Sequence, residues 1–142
     1  MFQTINIALS LYNNENVFDV SEITKHLRVN PTAMHTKDEN IVLMVKGEQQ
    51  EIPLQYKETA WTYETGYIVA ESIMEGVEVF LNVFGGKENI IRCLCDKYAL
   101  QTEIMFVIFK NGSGHYPDMR IDNRCVKFIE SINAGINFDI LD

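Results

Sequence analysis

The stretch Leu100-Gln-Thr-Glu-Ile-Met-Phe-Val-Ile-Phe109 decides the fold of this chain. Its first half alternates, with Leu100 and Ile104 on one side and Gln101 and Glu103 on the other. From Ile104 onward every position is apolar. This pattern predicts a strand that is half-exposed at its start and buried on both faces at its end. We therefore expect it in the middle of a sheet, with helices on at least one face.

Periodicity in the rest of the chain predicts further strands and helices around this strand. Apolar residues two positions apart occur within 3–11, 41–45, 52–56, 61–65 and 136–140, which predicts strands. Helical spacing and capping residues predict helices from Asp19 to the residues before Pro31, over 68–84, over 88–98 and from about Asp122 to Gly135. Val69 in the second of these helices and Ile90 in the third are expected to face the core. The polar segment 33–40 fits neither pattern, and the three strands predicted over 41–65 are expected to form a meander. The order predicts one α+β domain over residues 1–142, with a mixed, mostly antiparallel sheet and helices packed mainly on one face.

Charge and composition exclude some partners and cellular settings. Twelve basic residues against twenty acidic ones give a net charge of −8, which argues against nucleic acid and anionic membranes as partners. No segment is apolar enough to span a bilayer, and the start lacks the basic region of a signal peptide. The three cysteines have no zinc-like spacing. We expect a soluble, cytoplasmic protein with no metal, cofactor or disulfide; its oligomeric state stays open.

Several short motifs occur together in an order that resembles a known family. The matches are Ile23-Thr24 and Leu27 in the first predicted helix, Pro31-Thr32 after its end, and then Trp61, Pro117, Gly135 and Asp139. This order resembles a bacterial family catalogued as domain of unknown function 4279. Lys37-Asp38 departs from it, since a glycine is expected in that turn. The resemblance supports the α+β fold and implies no activity, because the function of the family is unassigned.

An acidic stripe provides the leading functional hypothesis. No Lys or Arg occurs over residues 58–84, and Glu71, Glu75 and Glu78 are spaced to lie on one face of the predicted helix. A solvated helix face is the simpler interpretation. The functional one is a non-enzymatic protein-binding domain, similar to toxin-neutralising immunity proteins, that docks a basic partner through these carboxylates.

Two other classes of function remain open. His115, Tyr116 and Asp118 lie in one loop, and with His35 or Asp38 close in space they would form the site of an enzyme or a small-molecule binder. An exposed loop without a role is the simpler interpretation, and no catalytic residue is assigned. A self-associating structural module would instead pair through the exposed strand edge predicted at 52–56.

The remaining reactive and aromatic residues favour structural roles. Cys93 and Cys95 point about 200° apart on a helix, so they cannot chelate one ion together. Cys125 lies on the predicted core stripe. Trp61 alternates with Tyr63 in a short strand, which favours packing in the core over a stacking platform for a ligand.

Overall fold

The computed structural model describes residues 3–142, which form four helices and eight strands. The helices are α1 (Val20–Leu27), α2 (Ile73–Phe84), α3 (Glu88–Tyr98) and α4 (Asn123–Ser131). The strands are β1 (Gln3–Asn13), β2 (Ala33–His35), β3 (Asn40–Val45), β4 (Glu48–Gln55), β5 (Thr59–Glu64), β6 (Ile68–Ala70), β7 (Gln101–Phe109) and β8 (Gly135–Leu141).

Strand β1 lies at the centre of the main sheet. It pairs antiparallel with β7 on one side and with β5 and β6 on the other. β2 pairs antiparallel with β5, and β8 pairs parallel with β7, which gives the order β2-β5-β1-β7-β8. The sheet is therefore mixed and mostly antiparallel, and the prediction of an α+β fold is confirmed. β7, the strand from which the fold was predicted, is internal, with β1 and β8 as its neighbours.

The helices pack on one face of this sheet. The register aligns three apolar pairs of β1 and β7 on that face: Ile5 with Ile108, Ile7 with Phe106, and Leu9 with Ile104. Helix α2 covers them with side chains that are at most 2% exposed, namely Ile73, Val77, Phe80 and Phe84. Trp61 belongs to the same core and is fully buried, as predicted.

The second face of β7 is less buried than the sequence suggested. Ile104, Phe106 and Ile108 are at most 1% exposed, whereas Met105 and Val107 are only half-buried. The prediction that this strand is buried on both faces was wrong, because the helices that build the core lie on the other side. The face that carries Met105 stays accessible and holds the candidate site.

Helix α2 begins five residues later than its periodicity suggested. Residues 68–70 form β6, which pairs with residues 3–5 of β1. The helix begins after Ser72, whose hydroxyl accepts from the Met74 N–H, while the Glu75 carboxylate accepts from the Ser72 N–H. This capping box fixes the first turn. Val69 was predicted on the buried stripe and is instead 61% exposed.

Gly76 lies where α2 crosses the central strand. A Cβ at this position would come within 3.1 Å of Ile7 Cδ1 and 3.2 Å of Ile5 Cγ2. The glycine costs the helix about 1 kcal/mol relative to alanine. Its lack of a side chain allows the helix backbone to approach β1 closely, which fills the core between them.

The middle third of the chain differs most from its prediction. β3 and β4 pair only with each other, as a separate two-stranded sheet, so the predicted three-stranded meander was wrong. The polar segment after Pro31 includes β2, which was not predicted. The predicted edge at 52–56 lies mostly in β4, where Leu54 is 60% exposed.

Helix α3 has its predicted range, but α4 ends at Ser131 rather than at Gly135, which is the first residue of β8. α3 spans residues 88–98, and Asp122 caps α4 by accepting from the Cys125 N–H. Ile90 was predicted to face the core and is 37% exposed, whereas its neighbour Ile91 is fully buried. The inward face of α3 is therefore narrower than its apolar residues suggested.

Candidate functional site

A cleft of about 330 Å³ opens on the face of the sheet that the helices leave uncovered. It lies where β2, β5, β1 and β7 are neighbours, near the end of β1 that carries Tyr12. Most of the residues that line it have polar side chains, and two of these are carboxylates: Ser10, Tyr12, Asn14, His35, Glu58, Thr62 and Glu103. A concave site with convergent polar groups is the usual form of a ligand-binding site.

The β1–β7 side of the cleft is a tyrosine–carboxylate pair. The Tyr12 hydroxyl donates to Glu103 Oε2 across 3.3 Å. Burial raises the pKa of the Tyr12 hydroxyl, and the charges of Glu103 and Glu58 raise it further. The hydroxyl therefore stays protonated at neutral pH and acts as a donor that holds the Glu103 carboxylate in place.

The opposite side is a histidine–carboxylate pair. His35 Nε2 lies 2.8 Å from Glu58 Oε1, and the Tyr56 ring stacks on the imidazole at 3.8 Å between centroids. The exposed fractions of the His35 and Glu58 side chains are 21% and 34%, so both groups are held while still reaching solvent. Stacking and hydrogen bonding together restrict the rotamers of this pair.

The floor of the cleft is small and neutral. Ser10 Oγ and Thr62 Oγ1 form a hydrogen bond of 3.0 Å, and Ala60 and Met105 complete the floor. The Ser10 hydroxyl is thus hydrogen-bonded to Thr62, while the histidine is bonded to a glutamate. The arrangement supplies acceptor oxygens and negative charge, which suits the binding of a cation better than nucleophilic catalysis.

The register of the sheet brings these residues together, and the sequence analysis missed most of them. His35 was considered only as a companion of His115, and Tyr12, Glu58 and Glu103 were not singled out as a group. The alternation in β1 and β7 places Ser10 and Glu103 on the face opposite the core, which was a usable signal. Their alignment across strands depends on pairing over 93 residues.

All three carboxylates of the predicted acidic stripe are exposed, but they do not share one helix. Glu71 lies outside α2, because the helix begins after Ser72, and the other two carboxylates bind within the chain. Glu75 Oε2 accepts from the backbone N–H groups of Glu71 at 2.7 Å and Ser72 at 3.1 Å. Glu78 pairs with Arg124 of α4. Glu75 therefore caps its own helix, and Glu78 joins α2 to α4.

The loop candidates do not form one cluster with His35. Gln3 Nε2 donates to the His115 carbonyl at 3.3 Å, so this loop lies beside the start of β1. His35 lies beside the other end of β1, nine residues along or roughly 30 Å away at 3.3 Å per residue. Asp38, in the turn after β2, donates its N–H to the Tyr56 carbonyl and lies with His35 rather than with the loop.

Within the loop, Tyr116 and Asp118 make contacts of their own. The Lys110 ammonium lies 4.8 Å from the centre of the Tyr116 ring. The Asp118 backbone accepts from the Ile73 N–H at 2.9 Å and donates to the Glu71 carbonyl at 2.8 Å. Asp118 therefore joins the loop to the start of α2, which places it close to Glu71 of the acidic stripe.

The cysteines lie in three different environments. Cys93 is exposed, Cys95 is half-buried and Cys125 is buried. Cys95 Sγ lies 3.2 Å from Thr102 Oγ1, and burial raises the pKa of the Cys125 thiol to about 11.

Among residues 3–142 no three His, Cys, Asp or Glu side chains are grouped so as to hold a metal ion. In the same residues no helix is both long and apolar enough to cross a membrane.

Comparisons with known proteins identify the family of the chain. No curated protein and no solved structure matched it. The family model described as Domain of unknown function (DUF4279) matches residues 3–142, nearly the whole chain. This agrees with the resemblance seen in the motifs around Pro31 and Trp61. The chain therefore belongs to the DUF4279 family.

Proposed function

We propose that this protein is a non-enzymatic binding domain that takes a lysine or arginine side chain of a basic partner into the cleft between Glu58 and Glu103. The observation that carries the proposal is the convergence of these two carboxylates on one cleft of about 330 Å³. That volume is at the small end for ligand sites, which suits a single cationic side chain.

The two hydrogen-bonded pairs that line the cleft preorganise it for a cationic side chain. Tyr12 and His35 each hold one carboxylate by a hydrogen bond, so less side-chain entropy is lost on binding. An ammonium or guanidinium group has donors but no acceptors, and the two carboxylates supply acceptors only. The net charge of −8 would steer a basic protein toward this surface.

The cleft is a better candidate for docking than the acidic helix face. Glu75 and Glu78 already bind within the chain, so a partner would compete with a helix cap and with Arg124. Glu58 and Glu103 are held by a histidine and a tyrosine, whose contacts leave carboxylate oxygens available. The immunity-protein comparison remains an analogy based on acidity, and the proposal does not depend on it.

The test is a titration of the ¹⁵N-labelled protein with defined cations, followed by NMR. The probes are N-acetyl-arginine amide, N-acetyl-lysine amide and a short Arg/Lys-rich peptide, with an acidic peptide as control. We expect shifts at the amides of Ser10 and Thr62 that weaken as salt is added. Glu103→Gln should weaken binding about tenfold or more, since a charge-assisted hydrogen bond contributes about 1.5–3 kcal/mol.

Glu71→Gln, at an exposed position just before α2, is the matched control. It removes the same charge from the acidic stripe and should leave binding unchanged. If Glu71→Gln abolishes binding and Glu103→Gln does not, a partner docks on the helix instead. If no cation shifts these amides at low salt, the proposal is overturned. If N-acetyl-arginine amide or N-acetyl-lysine amide binds as tightly as the peptide, the site takes a small molecule rather than a protein.

A further inference from the structure

Strand β8 leaves one long edge of the main sheet open. It is the outermost strand on its side and pairs only with β7, and residues 135–140 are all exposed. Natural proteins usually protect such edges with lysine, proline, bulges or very short strands. β8 has seven residues and a single charge, at Asp139, and contains neither lysine nor proline. The strand at the opposite end of the sheet, β2, has only three residues.

An apolar strip runs along β8 where the helix layer ends. Ile136, Phe138 and Ile140 are 43%, 47% and 40% exposed. Their register partners on β7 are at most 1% exposed, so the helices cover β7 but stop short of β8. The Phe138 ring stacks on Phe106 at 5.0 Å between centroids, which extends the core to the edge of the molecule.

The sequence of this strand is complementary to itself. Residues 136–140 read Ile-Asn-Phe-Asp-Ile, which is nearly a palindrome. An antiparallel partner related by a two-fold axis at Phe138 would place Ile136 opposite Ile140 and Phe138 opposite its own copy. On the other face Asn137 would lie opposite Asp139, so an amide donor meets a carboxylate at both symmetric positions.

We propose that β8 pairs with β8 of a second copy of this chain, forming one continuous sheet across a two-fold axis. The six apolar side chains of the two strips would then cover each other, and the open backbone groups would find partners. This inference rests on the edge strand and is independent of the proposed cation cleft. It also concerns a different edge from the 52–56 edge predicted from the sequence.

The charges of the chain give this dimer a distinctive salt dependence. Each copy carries a net charge of −8, so two copies repel each other at low salt. Added salt screens that repulsion and should strengthen the dimer, whereas it weakens the binding of a cation in the cleft. An interface of one strand from each copy is small, which predicts dissociation in the micromolar range.

The test is sedimentation velocity over a range of concentrations, with reductant present so that the exposed Cys93 cannot cross-link copies. Two nearly isosteric variants form the matched pair. Asn137→Asp would place aspartates opposite each other at both symmetric positions and should weaken the dimer about tenfold or more. Asp139→Asn would leave neutral amides opposite each other and should keep the dimer. Both residues are exposed, so the fold should tolerate both changes.

Three outcomes would overturn the proposal. The first is a wild-type mass that stays monomeric at every concentration and salt. The second is an Asn137→Asp variant that dimerises as tightly as Asp139→Asn. The third is a Leu54→Lys variant, changed in the β3–β4 hairpin, that no longer dimerises while Asn137→Asp still dimerises as the wild type does. Trp61 fluorescence reports that each variant is folded, so that loss of association is not confused with loss of structure.

Discussion

The hydrogen bond between Trp61 and Thr24 gives the sharpest test of how the core is held together. Trp61 is fully buried, and its indole Nε1 donates to Thr24 Oγ1 across 3.0 Å. Thr24→Val keeps the shape of the side chain but removes the acceptor. A buried donor without a partner costs about 1–3 kcal/mol, so we expect a loss of about 2 kcal/mol in the free energy of unfolding.

The assay is urea unfolding followed by the fluorescence of Trp61, the chain's one tryptophan. A loss of about 2 kcal/mol should lower the midpoint by roughly 1 M urea. Thr24→Ser is the control, since it keeps the hydroxyl and removes only a methyl group. It should cost about 1 kcal/mol or less.

A double-mutant cycle separates the hydrogen bond from packing. In a Trp61→Phe background, followed by circular dichroism, the indole donor is absent. Thr24→Val should then cost little, because no buried group is left without a partner. The reasoning is refuted if Thr24→Val is as stable as Thr24→Ser, or if its cost is the same in both backgrounds.

Three further predictions concern packing and thiol chemistry. Gly76→Val should lower the free energy of unfolding by about 2 kcal/mol, measured in urea, because its side chain would overlap Ile7 and force α2 away from β1. A thiol reagent at pH 8 should modify Cys93 in the folded protein and leave Cys125 unmodified until urea unfolds it, which mass spectrometry would detect. The pKa of Cys125, about 11 when folded, exceeds that of an ordinary thiol, so the folded state holds the proton more tightly. Below about pH 9 this contribution to the free energy of unfolding is fully present. As pH rises toward 11 the unfolded state loses the thiol proton first, and the contribution is lost. The difference in the free energy of unfolding between wild type and Cys125→Ala should therefore narrow over that range.

Features set by local sequence were predicted well. The Asp19 cap, the range of α3 and the alternation of β1 follow from neighbouring residues, and the structure has them where expected. The late start of α2 was also a local feature, because Ser72 and Glu75 form a capping box that the longer apolar periodicity obscured. The three-residue strands β2 and β6 were missed because segments this short contain too few residues to show a period.

The candidate cleft was harder to predict, for a physical reason. The alternation of β1 places Ser10 on the face away from the core, but its neighbours there are set by the register of β1 with β5 and β7. That register depends on the packing of the whole core, and a shift of one residue would turn the side chains to the opposite face. His35 and Glu58 lie outside any long periodic segment. Their pairing across 23 residues left no pattern in the sequence.

The central place of β1 has a consequence for the synthesis of the chain. The strand that becomes the middle of the sheet is made before the other strands of that sheet, and its longest partner, β7, follows about ninety residues later. At about 5–20 residues per second, β1 waits roughly 5–20 s before that partner leaves the ribosome. During this interval helices can pack on its apolar face, but the strand edge that pairs with β7 stays open. Slowing translation between α2 and β7 should therefore increase aggregation of the nascent chain and its dependence on chaperones.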